Sequence, residues 1–197
     1  MSNHPPGTEL KFESQHGLTP EIWGPHEFGF FFSRFMPFSA DNHEEFVREE
    51  FLDSLTELNR TLEQISRIFA KPVVYKCAIA PFVLKELLSA TSVKIIFLQR
   101  DPTKVVNSIL GVRKERLGSD SEWWSIRPRD WRELSGLSPR EQVEIQVLRV
   151  NEAVSRAMND YPERVFSLSY EELLLNEDDV IARLVAWSNK TKIKDGP

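Results

Sequence analysis

The stretch Val93 to Ile109, read Val-Lys-Ile-Ile-Phe-Leu-Gln-Arg-Asp-Pro-Thr-Lys-Val-Val-Asn-Ser-Ile, constrains the fold more than any other part of the chain. Its first half is a short, nearly unbroken apolar run with β-branched residues, the pattern of a strand covered on both faces in a parallel sheet. Charge ends the run. Asp101 stands where a helix N-cap is needed, and Pro102 takes the first helical position, where its missing N–H costs nothing. Val105, Val106, Ile109 and Leu110 then follow at helical spacing. Arg100 is thereby set beside a helix N-terminus, where backbone N–H groups and the positive dipole end favour an anion, and it adds a planar, always-charged donor fork. The segment reads as a phosphate grip. The same residues also suit a buried strand whose Arg–Asp pair merely closes a turn.

The pattern around this segment implies strands alternating with helices. Residues 1 to 20 are polar and punctuated by Pro and Gly, which predicts loop or disorder, residues 21 to 189 form one domain, and 190 to 197 are a tail. Trp23, Phe28, Phe30, Phe31, Phe32, Phe35 and Phe38 crowd into an irregular stretch interrupted by Gly24, Pro25, Gly29 and Pro37, which suits core packing or an acceptor pocket. From Asp41 the spacing of Val47, Phe51, Leu55, Leu58, Leu62, Ile65 and Phe69 predicts a long amphipathic helix. It reads as an intramolecular cover rather than a coiled-coil partner, because consistent charge pairing along its flanks is missing.

Val73 to Tyr75 is expected as a short strand, Pro81 to Ser89 as a returning helix and Val93 to Leu98 as the next strand, together a right-handed parallel unit. After the helix Pro102 to Leu117 comes Gly118 to Gly136, carrying Trp123, Trp124 and Trp131; it reads as a lid or acceptor flap, or as a segment packed on the neighbouring helix. Ser138 and Glu141 form a capping box that opens a helix through Met158, ended by Tyr161-Pro162. Val165 to Leu168 is a further strand. A second capping box, Ser169 with Glu172, starts a final helix running to about Ser188.

Three motifs in this order resemble the sulfotransferases that use 3′-phosphoadenosine 5′-phosphosulfate (PAPS). Arg100-Asp101-Pro102, with Ser108 one and a half helical turns on, is similar to that family's 3′-phosphate-binding motif. Arg164 to Leu173, Arg-Val-Phe-Ser-Leu-Ser-Tyr-Glu-Glu-Leu, resembles its strand followed by Tyr-Glu-Asp-Leu, and Lys71 to Lys76 resembles the strand that delivers a Lys to the active site. The resemblance covers roughly Lys71 to Asn189. It implies a three-layer α/β/α fold with a parallel sheet, of the P-loop nucleotide hydrolase type, with Arg100 and Ser108 holding the 3′-phosphate of PAPS. It also implies transfer of a sulfuryl group to a hydroxyl or amine, with Lys76 stabilising charge on the sulfuryl or bridging oxygen. His26 and Glu27 are the nearest candidates for the general base, and His43 is a third.

One family signature is missing, the Gly-rich loop that wraps the 5′-phosphosulfate. Gly24 to Gly29 is no substitute: Pro25 removes a donor, Phe30 stands where a Lys is wanted, and no strand pattern precedes it. The expectation is therefore a sulfotransferase fold incomplete at its N-terminus, either truncated or a relative that has lost half of the nucleotide site. An unpaired sheet edge would then invite self-association. The alternatives are a non-catalytic binder of adenosine 3′,5′-bisphosphate or another anion, and a structural domain dependent on a partner. The acceptor is open among carbohydrates, peptides, lipids and small metabolites.

Composition narrows the field further. A net charge of -5 over 197 residues disfavours nonspecific nucleic-acid binding, which needs a positive surface field. Basic residues still cluster at Arg113, Lys114 and Arg116 and at Arg127, Arg129 and Arg132, where they either steer a polyanion or form a solvated surface. Cys77 is the single cysteine, which rules out an intrachain disulfide and suits a buried, inert thiol. His26-Glu27 and His43-Glu44 lack the second His of a zinc-protease helix, so no metal is expected. Neither a signal peptide nor a membrane-spanning run is visible, and a cytoplasmic location is the default. Were the chain secreted, Asn59 and Asn189 would match the glycosylation pattern.

Overall fold

A computed structural model describes residues 29 to 190 except 37, 40, 46 and 47. The chain is mixed α/β and mostly helical. Its elements, in order, are α1 (Gly29–Ser33), α2 (Arg48–Phe69), α3 (Leu84–Ala90), β1 (Ile95–Gln99), α4 (Pro102–Leu117), α5 (Pro139–Asp160), β2 (Val165–Ser169), α6 (Tyr170–Leu175) and α7 (Glu177–Lys190).

Local chemistry explains the best-defined boundaries. Asp101 caps α4 by accepting the Lys104 N–H at 2.9 Å, Pro102 fills the first turn, and Gly118 closes the helix at φ 69°, a left-handed conformation that costs glycine little. Ser138 and Glu141 form the expected capping box on α5, each side chain bonding the other's backbone N–H. The second expected box is only half made. Ser169 Oγ accepts the Glu172 N–H at 3.3 Å, but the Glu172 carboxylate pairs with Arg183 instead of returning to Ser169. The predicted final helix is also two helices. Asn176 leaves the helical region at φ −139°, and its carbonyl accepts the Val180 N–H, so the chain restarts as α7.

β1 and β2 pair in parallel, Ile95 opposite Val165 through Gln99 opposite Ser169. On one face, Ile95, Phe97 and Val165 join the main core with Phe32, Phe35, Met36, Phe51, Leu55, Leu58, Leu84, Leu88, Val154 and Ala157, drawn from α1 and the residues just after it, α2, α3 and α5. On the other face Phe166 meets Trp187 of α7, ring centroids 5.3 Å apart. Helices therefore lie against both faces of the strand pair. Because α7 lies over β2, Ile96 and Leu98 of β1 remain 36 % and 46 % exposed on that face. A second apolar seam, Val106 with Val143 and Val147, joins α4 to α5, and α5 spans both clusters.

The strand expected at Val73 to Tyr75 is not formed. Residues 72 to 77 are extended but irregular, and among the described residues the sheet has two strands, β1 and β2. Extended chain becomes a strand only where a ladder partner lies beside it. Here Tyr75 is recruited instead by the aromatic cluster, stacked on Phe31 at 6.1 Å and edge-on to Phe32 at 5.8 Å, while Val73 and Val74 stay exposed. The predicted helix from Pro81 begins as a tight turn over Pro81–Val83 and becomes α-helical at Leu84. No helix among the described residues is long and apolar enough to cross a membrane.

Candidate functional site

In open parallel sheets, ligands bind beyond the carboxyl ends of the strands. β1 and β2 end together there, with Arg100 following one and Tyr170 the other. The Arg100 guanidinium lies over the Tyr170 ring, 5.2 Å from its centroid. A cation–π contact occupies no hydrogen-bond acceptor, so the guanidinium fork still has N–H donors to offer a ligand. Among the described residues no carboxylate pairs with Arg100, and the residue is exposed. Lys104, one turn along α4, reaches Glu171, with Nζ 3.2 Å from Oε1. Ser108 follows one further turn along the same flank and is also exposed.

Glu171 follows Tyr170 and closes the cluster. Its own backbone N–H, then the Lys104 ammonium and the Ser169 hydroxyl, hold its carboxyl below the usual glutamate range. The N-terminus of α4 gives an anion less than the sequence promises, since Pro102 has no N–H and the Lys104 N–H is already taken by Asp101. An anion held there would depend on side-chain cations.

Four further residues are expected at the site: His26, Glu27, Lys76 and His43. His26 and Glu27 lie outside the described residues. Lys76 is exposed, but it stands in the irregular 72 to 77 segment and not at a strand exit, because the strand expected to deliver it does not form. His43 is a brace. Its Nδ1 accepts the Arg127 N–H at 3.0 Å, its backbone N–H donates to the Arg127 carbonyl at 2.9 Å, and its ring meets Phe38 at 5.4 Å. Cys77 is half-buried against the main core. Among the described residues no three His, Cys, Asp or Glu side chains are grouped as metal ligands would be.

Burial, and secondarily the Arg127 cation, push the His43 imidazole below its usual 6.5. Near neutral pH both the folded and unfolded chains carry it uncharged. As pH falls below that value the unfolded chain binds a proton that the folded chain refuses, so stability declines until folded His43 itself titrates. Urea midpoints should therefore drop as pH is lowered from about 7 through the range in which a free imidazole titrates, and His43→Gln should flatten that slope. An unchanged slope in the variant would assign the acid sensitivity to other groups.

The Trp segment is tied down by side chains of α4 and α5 that reach backbone carbonyls and indole rings. Gln146, buried on α5, donates from Nε2 to the carbonyls of Trp124 and Ile126 at 2.9 and 2.8 Å. Arg113, fully buried, donates to the Asp120 carbonyl and to Gln142 Oε1 and lies 5.0 Å from the Trp123 centroid. Arg116 covers Trp124, and Arg127 and Arg132 both lie over Trp131. Arg129 pairs with Glu45 and Arg132 with Asp41. The basic clusters thus cover indoles and pair with carboxylates, and the segment is packed onto α4 and α5 rather than standing as an open flap. Comparison with family models, curated proteins and solved structures yields no match, so a functional reading must rest on this geometry and on the motifs.

Proposed function

We propose that this chain is a sulfotransferase-like protein whose carboxyl sheet edge grips the 3′-phosphate of PAPS through Arg100 and Ser108. The observation that carries the reading is Arg100 itself: a cation at the end of a parallel strand, lying over the Tyr170 ring, with no carboxylate partner among the described residues. Arg132, Arg149 and Arg183 by contrast are paired with carboxylates and Arg113 is enclosed, so their donors are already committed. The three-layer architecture that the motifs imply is part of the same proposal, supported by helices on both faces of the strand pair.

PAPS would supply the activated sulfuryl group. The chain's part would be to hold the nucleotide by its 3′-phosphate, with Lys76 as the candidate cation for the reacting end. The irregular setting of Lys76 favours a second reading, a non-catalytic binder of adenosine 3′,5′-bisphosphate. Calorimetric titration with that nucleotide tests the shared core of both readings. Arg100→Ala should weaken binding by about tenfold or more, the value of a charge-assisted bond to phosphate, and Ser108→Ala by less. Equal affinity of the parent and Arg100→Ala would reject both. Transfer of radiolabelled sulfuryl from PAPS to a panel of hydroxyl and amine acceptors then separates enzyme from binder.

A further inference from the structure

We infer that Lys104 is a further cationic ligand of the anion held by Arg100, and that Glu171 keeps Lys104 in place until the anion displaces it. The inference rests on the phosphate-grip reading and adds a selection step to it. Three facts carry it. Arg100 lies on the ring of Tyr170, the residue directly before Glu171, so the free cation and the paired one converge on the same short stretch of chain. Lys104 sits between Arg100 and Ser108 along α4, one turn before Ser108, so an anion touching both passes beside its ammonium. The backbone at the start of α4 has little to offer, its Lys104 N–H being spent on Asp101.

Lys104 and Glu171 are both substantially solvated, with side chains 55 % and 38 % exposed, so the pair contributes little to folding and can exchange partners. Glu171 is also held by Ser169 Oγ at 3.2 Å, so its carboxylate stays near the site after Lys104 turns away. An arriving ligand must therefore offer Lys104 more than one carboxylate does. A phosphate monoester, with close to two negative charges and three acceptor oxygens, does so, and a singly charged carboxylate ligand does not.

The two partners then have opposite effects on binding, which a structural ion pair does not produce. In calorimetric titrations of the full chain with adenosine 3′,5′-bisphosphate, Lys104→Ala should weaken binding about fivefold. Glu171→Gln, which frees Lys104 and removes a repelling charge, should tighten it about threefold. Changes of the same sign, or no change in either, overturn the inference. Arg100→Ala in the same series keeps the two claims apart: if it abolishes binding while Lys104 and Glu171 prove neutral, the grip stands and the exchange is wrong. If the parent chain does not bind, or Arg100→Ala binds as the parent does, both fail.

Discussion

Arg164→Ala is expected to cost about 3–5 kcal/mol of folding free energy, a large share of the 5–15 kcal/mol typical of a domain. The Arg164 guanidinium donates to the Leu88 and Thr91 carbonyls and, from both Nε and Nη2, to the Val93 carbonyl. These three acceptors run from the last turn of α3 to the approach to β1, whereas Arg164 directly precedes β2. One side chain thus aligns the starts of both strands. Removing it strands carbonyls in a part-buried turn, each unmet at about 1–3 kcal/mol, less what water recovers. Lysine at this position should recover only part of the loss, because a single ammonium cannot reproduce a planar fork. Urea unfolding followed by circular dichroism measures the effect. A loss below about 1 kcal/mol would mean that water replaces the guanidinium without difficulty.

Phe51→Ala should be comparably damaging, at about 3–5 kcal/mol, while Phe69→Ala on the same helix should change stability by less than about 0.5 kcal/mol. Both positions belong to one regular apolar series in the sequence, yet α2 buries only part of it. Phe51, Leu55 and Leu58 are fully enclosed by α1, α3 and the strand pair, whereas Ile68 and Phe69 are 80 % and 60 % exposed at the other end. A coiled-coil role for α2 would spread the energy along its whole length and make Phe69 costly in a concentration-dependent way. Thermal melts of the two variants at two protein concentrations distinguish these cases.

What the sequence disclosed follows the range of the interactions involved. The limits of α4 and α5 were readable because Asp101-Pro102, Gly118 and the Ser138/Glu141 box act within four residues of the ends they define. β1 and β2 were readable as dense apolar runs with turn signals beside them. Val73 to Tyr75 looked equally strand-like, but a strand is decided by what lies next to it, and there Tyr75 joins Phe31 and Phe32. The break at Asn176 depends on one residue's backbone angle, to which the apolar spacing on either side is blind. At the site, Arg100 and Ser108 were legible as a motif, but the Arg100–Tyr170 stack and the Lys104–Glu171 pair join residues about 70 positions apart. Gln146 and Arg164 bond to backbone carbonyls 20 to 76 positions away, and a carbonyl carries no sequence signature at all.

The parallel pairing of β1 with β2 also bears on how the chain reaches its native state. Roughly 65 residues separate the two strands. Closing a loop of that size costs about 4 kcal/mol of chain entropy, before any constant term, and no ladder bond forms until it is met. The α4–α5 seam lies inside that loop and closes over roughly half that separation, so it can assemble first and shorten the effective search. Arg100 and Tyr170 meet only when the ladder zips, which makes this carboxyl edge of the sheet one of the last features of the molecule to acquire its shape.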